Sequence, residues 1–419
     1  MKLRIEKCIY GGAGLARADG KTIFVPYTLP GELVEALVTE DKRSFANAEL
    51  GAVLESAPER TAPPCEYFGQ CGGCQYQHAT YEQQREIKLG ILRETLERAK
   101  LKTLPDISPV YAEPFGYRNR VRLHIQRQPF ALCYKKRSSH HNLPVTHCPI
   151  AAPLIEQAIA ETIHCANPFL ADCDEIEFFT NDSQSELLLS LWTSRRSGNV
   201  SDALKQFCEQ LRRKLSSLSG AAIFLTEKNR LEKKLAAWGE SSLAYRAGAH
   251  AYKVSAGSFF QVNRFLIDPL LQLVTANQSG RIAWDLYAGV GLFSLPLRQQ
   301  FDQVVSVEVA PSSSGDLRKN LASGKIVQSD TLEFLRRHRG ETPDLIVVDP
   351  PRSGLGNHVT TLLTKVRPKT MVYVSCDPPT LSRDLHALVE SGYRLTSMHM
   401  VDLFPQTFHL ESVTVLSMD

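Results

Sequence analysis

The chain has 419 residues, of which 43% are hydrophobic and 22% charged, with a net charge of +3. That length supplies two or three domains, each with its own core, and the composition excludes a disordered or fibrous chain. No apolar run approaches the roughly 20 residues that span a bilayer, and MKLRIEKCIYGGAG at the start lacks the apolar centre of a signal peptide, so a cytoplasmic protein with no membrane partner is expected.

In chain order, residues 1–58 read as short strands separated by turns at Gly11-Gly12, Asp19-Gly20 and Pro30-Gly31. Short strands with glycine corners predict a small closed β-barrel. A proline-rich linker, ERTAPPC, leads into Cys65, Cys71 and Cys74, spaced C-x5-C-x2-C, and Cys148 in THCPI supplies a fourth thiol. In a reducing compartment, three close thiols with glycines between them mark a metal or cluster site more than a disulfide. Spacing leaves a four-cysteine zinc site and an iron–sulfur cluster both open. TYEQQREIKLGILRETLERAK predicts an amphipathic helix near residues 81–100, with Ile87, Ile91, Leu92 and Leu96 near helical spacing. Residues 59–247 as a whole read as a mixed α+β central domain, with strands such as RVRLHIQ and SELLLSLW, and its helix near 81–100 is a candidate to pack on the domain that follows.

From residue 248 onward, IAWDLYA, VVSVEV, DLIVVDP, MVYVSC and VTVLSM alternate with helical stretches, which predicts a doubly wound α/β domain. Ligands in such sheets sit beyond the carboxyl ends of the strands. DLYAGVGLFSLPL runs from strand through a glycine turn at Gly289 and Gly291 into a helix. VVSVEV ends in Glu308, an acidic residue placed to accept hydrogen bonds from ribose hydroxyls. DLIVVDPPRSGL closes a strand with Asp349 ahead of two prolines. Together they predict a nucleoside-containing cofactor. Cys376 falls at the end of the next strand, and His409 and Glu411 arrive just before the last one. An isolated cysteine is most often a buried core residue, but a thiol and a carboxylate at neighbouring strand ends form a nucleophile–base pair.

These residues closely resemble the S-adenosylmethionine-dependent RNA uracil-5-methyltransferases, in the branch with an N-terminal TRAM domain and an iron–sulfur cluster. The resemblance spans the chain. It is carried by GGAGLARADGKTIFVPYTLPGE, CEYFGQCGGCQYQH, YRNRVRLHI, SFFQVN, DLYAGVGLFSLPL, VDPPRSGL, VYVSCDPPTLSRDL and FPQTFHLESV. It implies a Rossmann-like methyltransferase domain at 248–419, behind a TRAM barrel and the α+β domain. It further implies Cys376 as nucleophile and Glu411 as the base that removes the C5 proton. Gln261, Tyr287, Glu308, Asp330 and Asp349 would line the S-adenosylmethionine pocket, and Cys65, Cys71, Cys74 and Cys148 would hold a [4Fe–4S] cluster.

The implied partner is RNA, with 23S ribosomal RNA favoured over transfer RNA and the enzyme a monomer. An RNA-binding iron–sulfur protein without catalysis is the alternative from another class, opposed by the intact Cys376, Glu411 and Asp349. An amino-group methyltransferase is opposed by Arg352, which stands where that motif carries an aromatic residue. Arg118, Arg120 and Arg122, residues 135–137, and Arg195-Arg196 are candidate RNA-contact patches.

Overall fold

The computed structural model describes residues 1–99, 101, 104–195, 199–227, 232–338 and 340–418. Arg196 lies outside the described residues. Among them no helix is long and apolar enough to cross a membrane.

The first six strands form one curled sheet. They are β1 (Lys2–Arg4), β2 (Lys7–Cys8), β3 (Ala13–Ala18), β4 (Lys21–Pro26), β5 (Leu33–Asp41) and β6 (Phe45–Glu55), in the spatial order β1-β5-β6-β4-β3-β2. Alternate residues such as Val34 and Ala36 turn inward against Ile5, Ile23 and Val25, the period of two that a one-sided sheet requires.

The helix Tyr81–Arg98 starts at Thr80, whose hydroxyl accepts from Gln83 N at 3.4 Å. It serves two cores: Ile87 and Ile91 pack with Cys8 and Leu29 of the N-terminal unit, whereas Leu92 and Leu96 enter the core of the C-terminal sheet. β7 (Ile107–Val110) follows and pairs with that same sheet. The stretch 59–247, read from sequence as one central domain, therefore gives a helix and a strand to the C-terminal unit. Sequence pattern hid β7 because it is four residues long and contains Pro109, which only an edge strand accommodates.

The central sheet comprises β8 (Arg120–Gln126), β9 (Ala131–Lys135), β10 (Asn142–Pro144), β11 (Glu175–Thr180), β12 (Leu187–Thr193), β13 (Leu218–Leu225) and β14 (Lys233–Gly239). A hairpin, β15 (Ser242–Ala247) and β16 (His250–Ser255), leads to the C-terminal sheet. There β17 (Gly280–Leu286), β18 (Phe301–Val307), β19 (Lys325–Val327), β20 (Leu345–Val348), β21 (Thr370–Ser375), β22 (Arg394–Val401) and β23 (Glu411–Ser417) lie in the order β19-β18-β17-β20-β21-β23-β22-β7. The five strands from β17 to β21 are parallel and β23 is antiparallel to its neighbours. The chain winds outward from β17 to β19, then returns to β20 on the other side. That reversal opens a crevice at the carboxyl ends of β17 and β20.

Candidate active site

The crevice is built from strand ends. β17 leaves the sheet through Tyr287 at φ +68°, a left-handed conformation uncommon for a side chain of this size. Gly291 follows at φ +94°, where a Cβ would approach Leu317 Cδ1 to 2.8 Å, so glycine lets this turn close on the helix Pro311–Asn320 that follows β18. Gly289 N donates to Glu308 Oε2 at 2.8 Å, and Ala310 N donates to Glu308 Oε1 at 2.6 Å. Glu308, one residue past β18, thereby ties the glycine turn to the neighbouring loop.

On the other side of the crevice, β21 and β23 pair antiparallel with Ser375 opposite Ser412. The next residue on one strand is Cys376 and the preceding residue on the other is Glu411. Register thus sets the two side by side at the mouth of the sheet. Asp377 caps the helix Pro378–Glu390 by accepting from Thr380 N at 3.0 Å, which is why the strand stops at the cysteine and a helix starts at the prolines.

Gln261, Tyr287, Glu308, Asp349, Cys376 and Glu411 line one cavity of about 480 Å³. Its carboxylates are crowded. Burial and the neighbouring Asp285 push the Asp349 carboxyl up to about 7. Asp285 is itself raised to about 7, first by burial and then by Glu308. Burial and Asp349 raise Glu411 well above the carboxylate range, and its Oε1 has no hydrogen-bond partner. The Cys376 thiol is pushed up to about 12 by burial, then by Glu411 and Asp349, with Arg352 opposing. His409 is lowered to about 4 by burial and then by Arg352, so it is neutral near pH 7. From the N-terminal sheet, Tyr10 reaches in and its hydroxyl donates to Asp377 Oδ2 at 3.1 Å.

A second cavity, of about 40 Å³, is lined by all four of Cys65, Cys71, Cys74 and Cys148, with Arg118 and Tyr134. One buried donor here, Arg118 Nε, has no hydrogen-bond partner, and the Tyr134 hydroxyl is directed at Cys148, whose thiol it helps to ionise. Among the described residues, no three histidine, cysteine or carboxylate side chains close tightly enough to hold a single metal ion.

Comparison with known proteins places this arrangement. The family model described as tRNA (Uracil-5-)-methyltransferase matches residues 80–342 and 337–419, and the TRAM domain model matches residues 2–50. The chain belongs to the tRNA (uracil-5-)-methyltransferase family. It is an S-adenosylmethionine-dependent enzyme that methylates uracil C5 in RNA. An uncharacterized RNA methyltransferase of Aquifex aeolicus is 34% identical, with 99% of this chain and 98% of that one covered. The 23S rRNA (uracil(1939)-C(5))-methyltransferase RlmD of Pectobacterium atrosepticum is 31% identical, with 97% and 91% covered. The crystal structure of Pyrococcus abyssi tRNA (uracil-54, C5)-methyltransferase, in complex with S-adenosyl-L-homocysteine, has the same fold. Its TM-score is 0.78 at 22% identity, over 99% of this chain and 100% of that one.

Within this family framework, Asp330 stands apart from the other predicted site residues. It is exposed and does not line the cavity. Its Oδ1 accepts from Leu332 N at 2.9 Å and Glu333 N at 3.2 Å, which makes it the cap of helix Thr331–Arg337. The arginines of YRNRVRLHI are engaged by neighbouring side chains: Arg118 and Arg120 are partly buried, and Arg122 is exposed but paired. Arg118 borders the cysteine cavity. Arg120 donates to the Ser258 carbonyl and stacks 4.1 Å over the Phe179 ring. Arg122 pairs with Glu175 and lies 3.6 Å over Trp192. Alternation puts Arg120 and Arg122 on one face of β8, where acidic and aromatic side chains of the neighbouring strands β11 and β12 engage them, whereas Arg118 precedes the strand. Lys136, Arg137 and Arg195 remain exposed.

Two cavity residues escaped the sequence reading. Phe259 lines the cavity yet is 63% exposed, and nothing in SFFQVN distinguishes it from buried Phe260. Arg352 directly follows Asp349-Pro350-Pro351, and a cation fixed behind two prolines was the available signal.

Proposed function

We propose that this enzyme forms 5-methyluridine in 23S ribosomal RNA by covalent catalysis, with Cys376 as nucleophile and Glu411 as base. The observation that carries the reading is the gathering of Cys376, Glu411, Asp349 and Glu308 around one cavity of about 480 Å³. Uracil C5 is too weakly nucleophilic to take a methyl group unaided. Addition of the Cys376 thiolate to C6 forms a carbon–sulfur bond and moves the ring electrons toward O4 as an enolate, which makes C5 the attacking atom. After methylation Glu411 removes the C5 proton, the C5–C6 double bond re-forms, and the sulfur departs with its electron pair.

S-Adenosylmethionine supplies the methyl group from a positively charged sulfonium. Gln261, Tyr287, Glu308 and Asp349 are assigned to its pocket. Their carboxylates favour a cation and, until one is present, disfavour a thiolate beside them. Cys376 accordingly waits as a thiol, and positive charge in the filled cavity lowers the cost of ionising it.

Cys65, Cys71, Cys74 and Cys148 are assigned as ligands of a [4Fe–4S] cluster. Four thiols lining one cavity support a shared metal group there, and the family resemblance, not the geometry, favours a cluster over a four-cysteine zinc ion. Arg118 Nε supplies an unpaired donor for the sulfur atoms of a net-negative group, and the Tyr134 hydroxyl supplies one toward the Cys148 sulfur. Methyl transfer needs no electron, so the cluster is assigned a structural or RNA-docking role and not a redox one.

Ribosomal RNA is favoured by the relatives named for 23S rRNA, which align over nearly the whole chain. An RNA carrying 5-fluorouridine is expected to trap a covalent complex, since fluorine at C5 does not leave as a proton. Absence of that complex removes the mechanism. Mapping 5-methyluridine in cells lacking this chain decides the substrate: loss from 23S RNA is expected, and loss from transfer RNA alone reassigns it. Iron and sulfide in anaerobically purified protein are expected, and one equivalent of zinc without iron reverses the metal assignment.

A further inference from the structure

The loop between β22 and β23 carries Phe404 and His409 to the cavity and ends at Glu411. At its centre Gln406 is 2% exposed and sits at φ +70°. A non-glycine residue keeps that conformation only where its surroundings over-determine it. Gln406 N donates to Gln84 Oε1 at 3.0 Å, and Gln84 Nε2 donates back to Gln406 Oε1 at 2.9 Å. The Gln406 carbonyl accepts from both Gln75 N and Tyr76 N, each at 2.9 Å. Phe408 N donates to Gln75 Oε1 at 3.2 Å, and Gln75 Nε2 donates to the Gly72 carbonyl at 2.9 Å. Gln75 directly follows Cys74 in sequence. The segment holding Cys71 and Cys74 is thus bonded, backbone to backbone, to the loop that delivers Glu411. Neither Gln75 nor Gln84 lines the cavity.

We propose that Gln75 and Gln84 are positioning residues for methyl transfer: they clamp Gln406 so that Glu411 keeps its place beside Cys376 only while the cysteine loop is held. The inference rests on the assignments of Glu411 as base and of the cysteines as metal ligands. Displacement of a catalytic group by about 1 Å lowers rates by up to about 100-fold, so a clamp of this kind acts on turnover and not on binding.

The test uses the full-length protein. Gln75→Met and Gln84→Met preserve volume and remove the side-chain hydrogen bonds, whereas Gln75→Glu keeps the acceptor for Phe408 N. Both Met variants are expected to lower kcat about 10-fold or more, with KM for RNA and for S-adenosylmethionine within about 2-fold of wild type. Gln75→Glu is expected to recover most of the rate. Hydrogen exchange over residues 402–410 is expected to speed up in both Met variants and in wild-type protein stripped of metal by a chelator, with β20 and β21 unchanged. Wild-type kcat in both Met variants overturns the proposal, as does a loss of kcat/KM that lies entirely in KM. Unchanged exchange of residues 402–410 after metal removal also overturns it, and decides the matter if a Met variant does not fold. Glu411→Gln measured alongside separates the two readings. Normal turnover in Glu411→Gln removes the base assignment, whereas a stalled Glu411→Gln beside a fully active Gln75→Met removes the clamp alone.

Discussion

The two cavities both take thiols out of water, and burial pushes Cys376 and Cys74 alike up to about 12. What differs is the company. Cys376 stands with Glu411, Asp349 and Asp377, opposed by Arg352. Around the four cysteines the charges are mixed: Arg118 opposes burial at Cys71, Cys74 and Cys148, while Glu66 and Glu156 add to it at Cys65 and Glu156 does so at Cys148. Ligands of a permanently held metal are ionised throughout and need standing positive charge. A nucleophile that must form a bond and leave again is better served by a neighbourhood that keeps it protonated until the site fills. Burial acts most strongly on the thiols of both cavities, and the two differ in how many carboxylates add to it: Glu411, Asp349 and Asp377 at Cys376, against Glu66 and Glu156 at Cys65 and none at Cys74.

Substituting one thiol from each cavity tests that separation, and carries the largest expected effects. Cys376→Ala should reduce methylation by at least about 10³-fold, with metal content and Tm as in wild type. Cys71→Ser should do the reverse: metal is lost and Tm falls by several degrees, yet 5-fluorouridine RNA still forms its adduct. Metal analysis, thermal unfolding and denaturing gels read the outcomes. A Cys71→Ser protein that retains both metal and stability breaks the comparison.

The two cavities were unequally legible in the sequence. Cys376, Asp349, Glu308 and Tyr287 each terminate or just follow an apolar β-run, and parallel α/β topology brings such ends to one edge whatever lies between them. The cysteines announced themselves by close spacing. Asp330 also follows a short β-run, but its carboxylate is taken by two backbone N–H groups of its own helix, a local competition that no strand-end rule anticipates. Arg120 and Arg122 of β8 read as a candidate RNA-contact patch because alternation fixes which residues share a side and says nothing of which neighbours engage them. Least visible was the join between the cavities. Gln75 and Gln84 are polar residues in an irregular and a helical segment, each more than 300 positions from Gln406, and their meeting with it depends on tertiary packing alone.

Lys88 and Asp402 sit in that join. Their ion pair is 2.6 Å long and both side chains are at most 1% exposed, while Lys88 Nζ also donates to the Phe404 carbonyl at 2.9 Å. Lys88→Met strands a buried carboxylate and should destabilise the protein by about 3–5 kcal/mol. Pairing it with Asp402→Leu should restore much of that loss. Urea titration gives both values, and a Lys88→Met protein as stable as wild type shows that the join carries no strain between the regions.

A smaller effect follows from the acidic crowding in the catalytic cavity. The folded Asp349 carboxyl sits at about 7 against an ordinary 3.8, so between those values the folded protein holds a proton that the unfolded chain has released. Stability therefore falls as pH rises through that window. Asp349→Asn should flatten the decline and leave the protein roughly 2 kcal/mol more stable at pH 7.5, while methylation is lost. Urea midpoints at pH 5 and 7.5 test the sign, and an unchanged slope removes Asp349 as its source.

Asp330 gives the smallest expected effect and the finest division within the catalytic half. If its carboxylate served the cofactor, Asp330→Ala would raise KM for S-adenosylmethionine. As a cap, its removal should cost about 1 kcal/mol through fraying of helix Thr331–Arg337, and Asp330→Ser should restore the loss because serine caps as well. Tyr287 gives this test its discrimination: it lines the cavity and is hydrogen-bonded through Thr331, the first residue of that helix. Fraying alone is therefore expected to move KM slightly in Asp330→Ala and not at all in Asp330→Ser. A large rise in KM in both variants, with stability intact in Asp330→Ser, would return the carboxylate to the pocket.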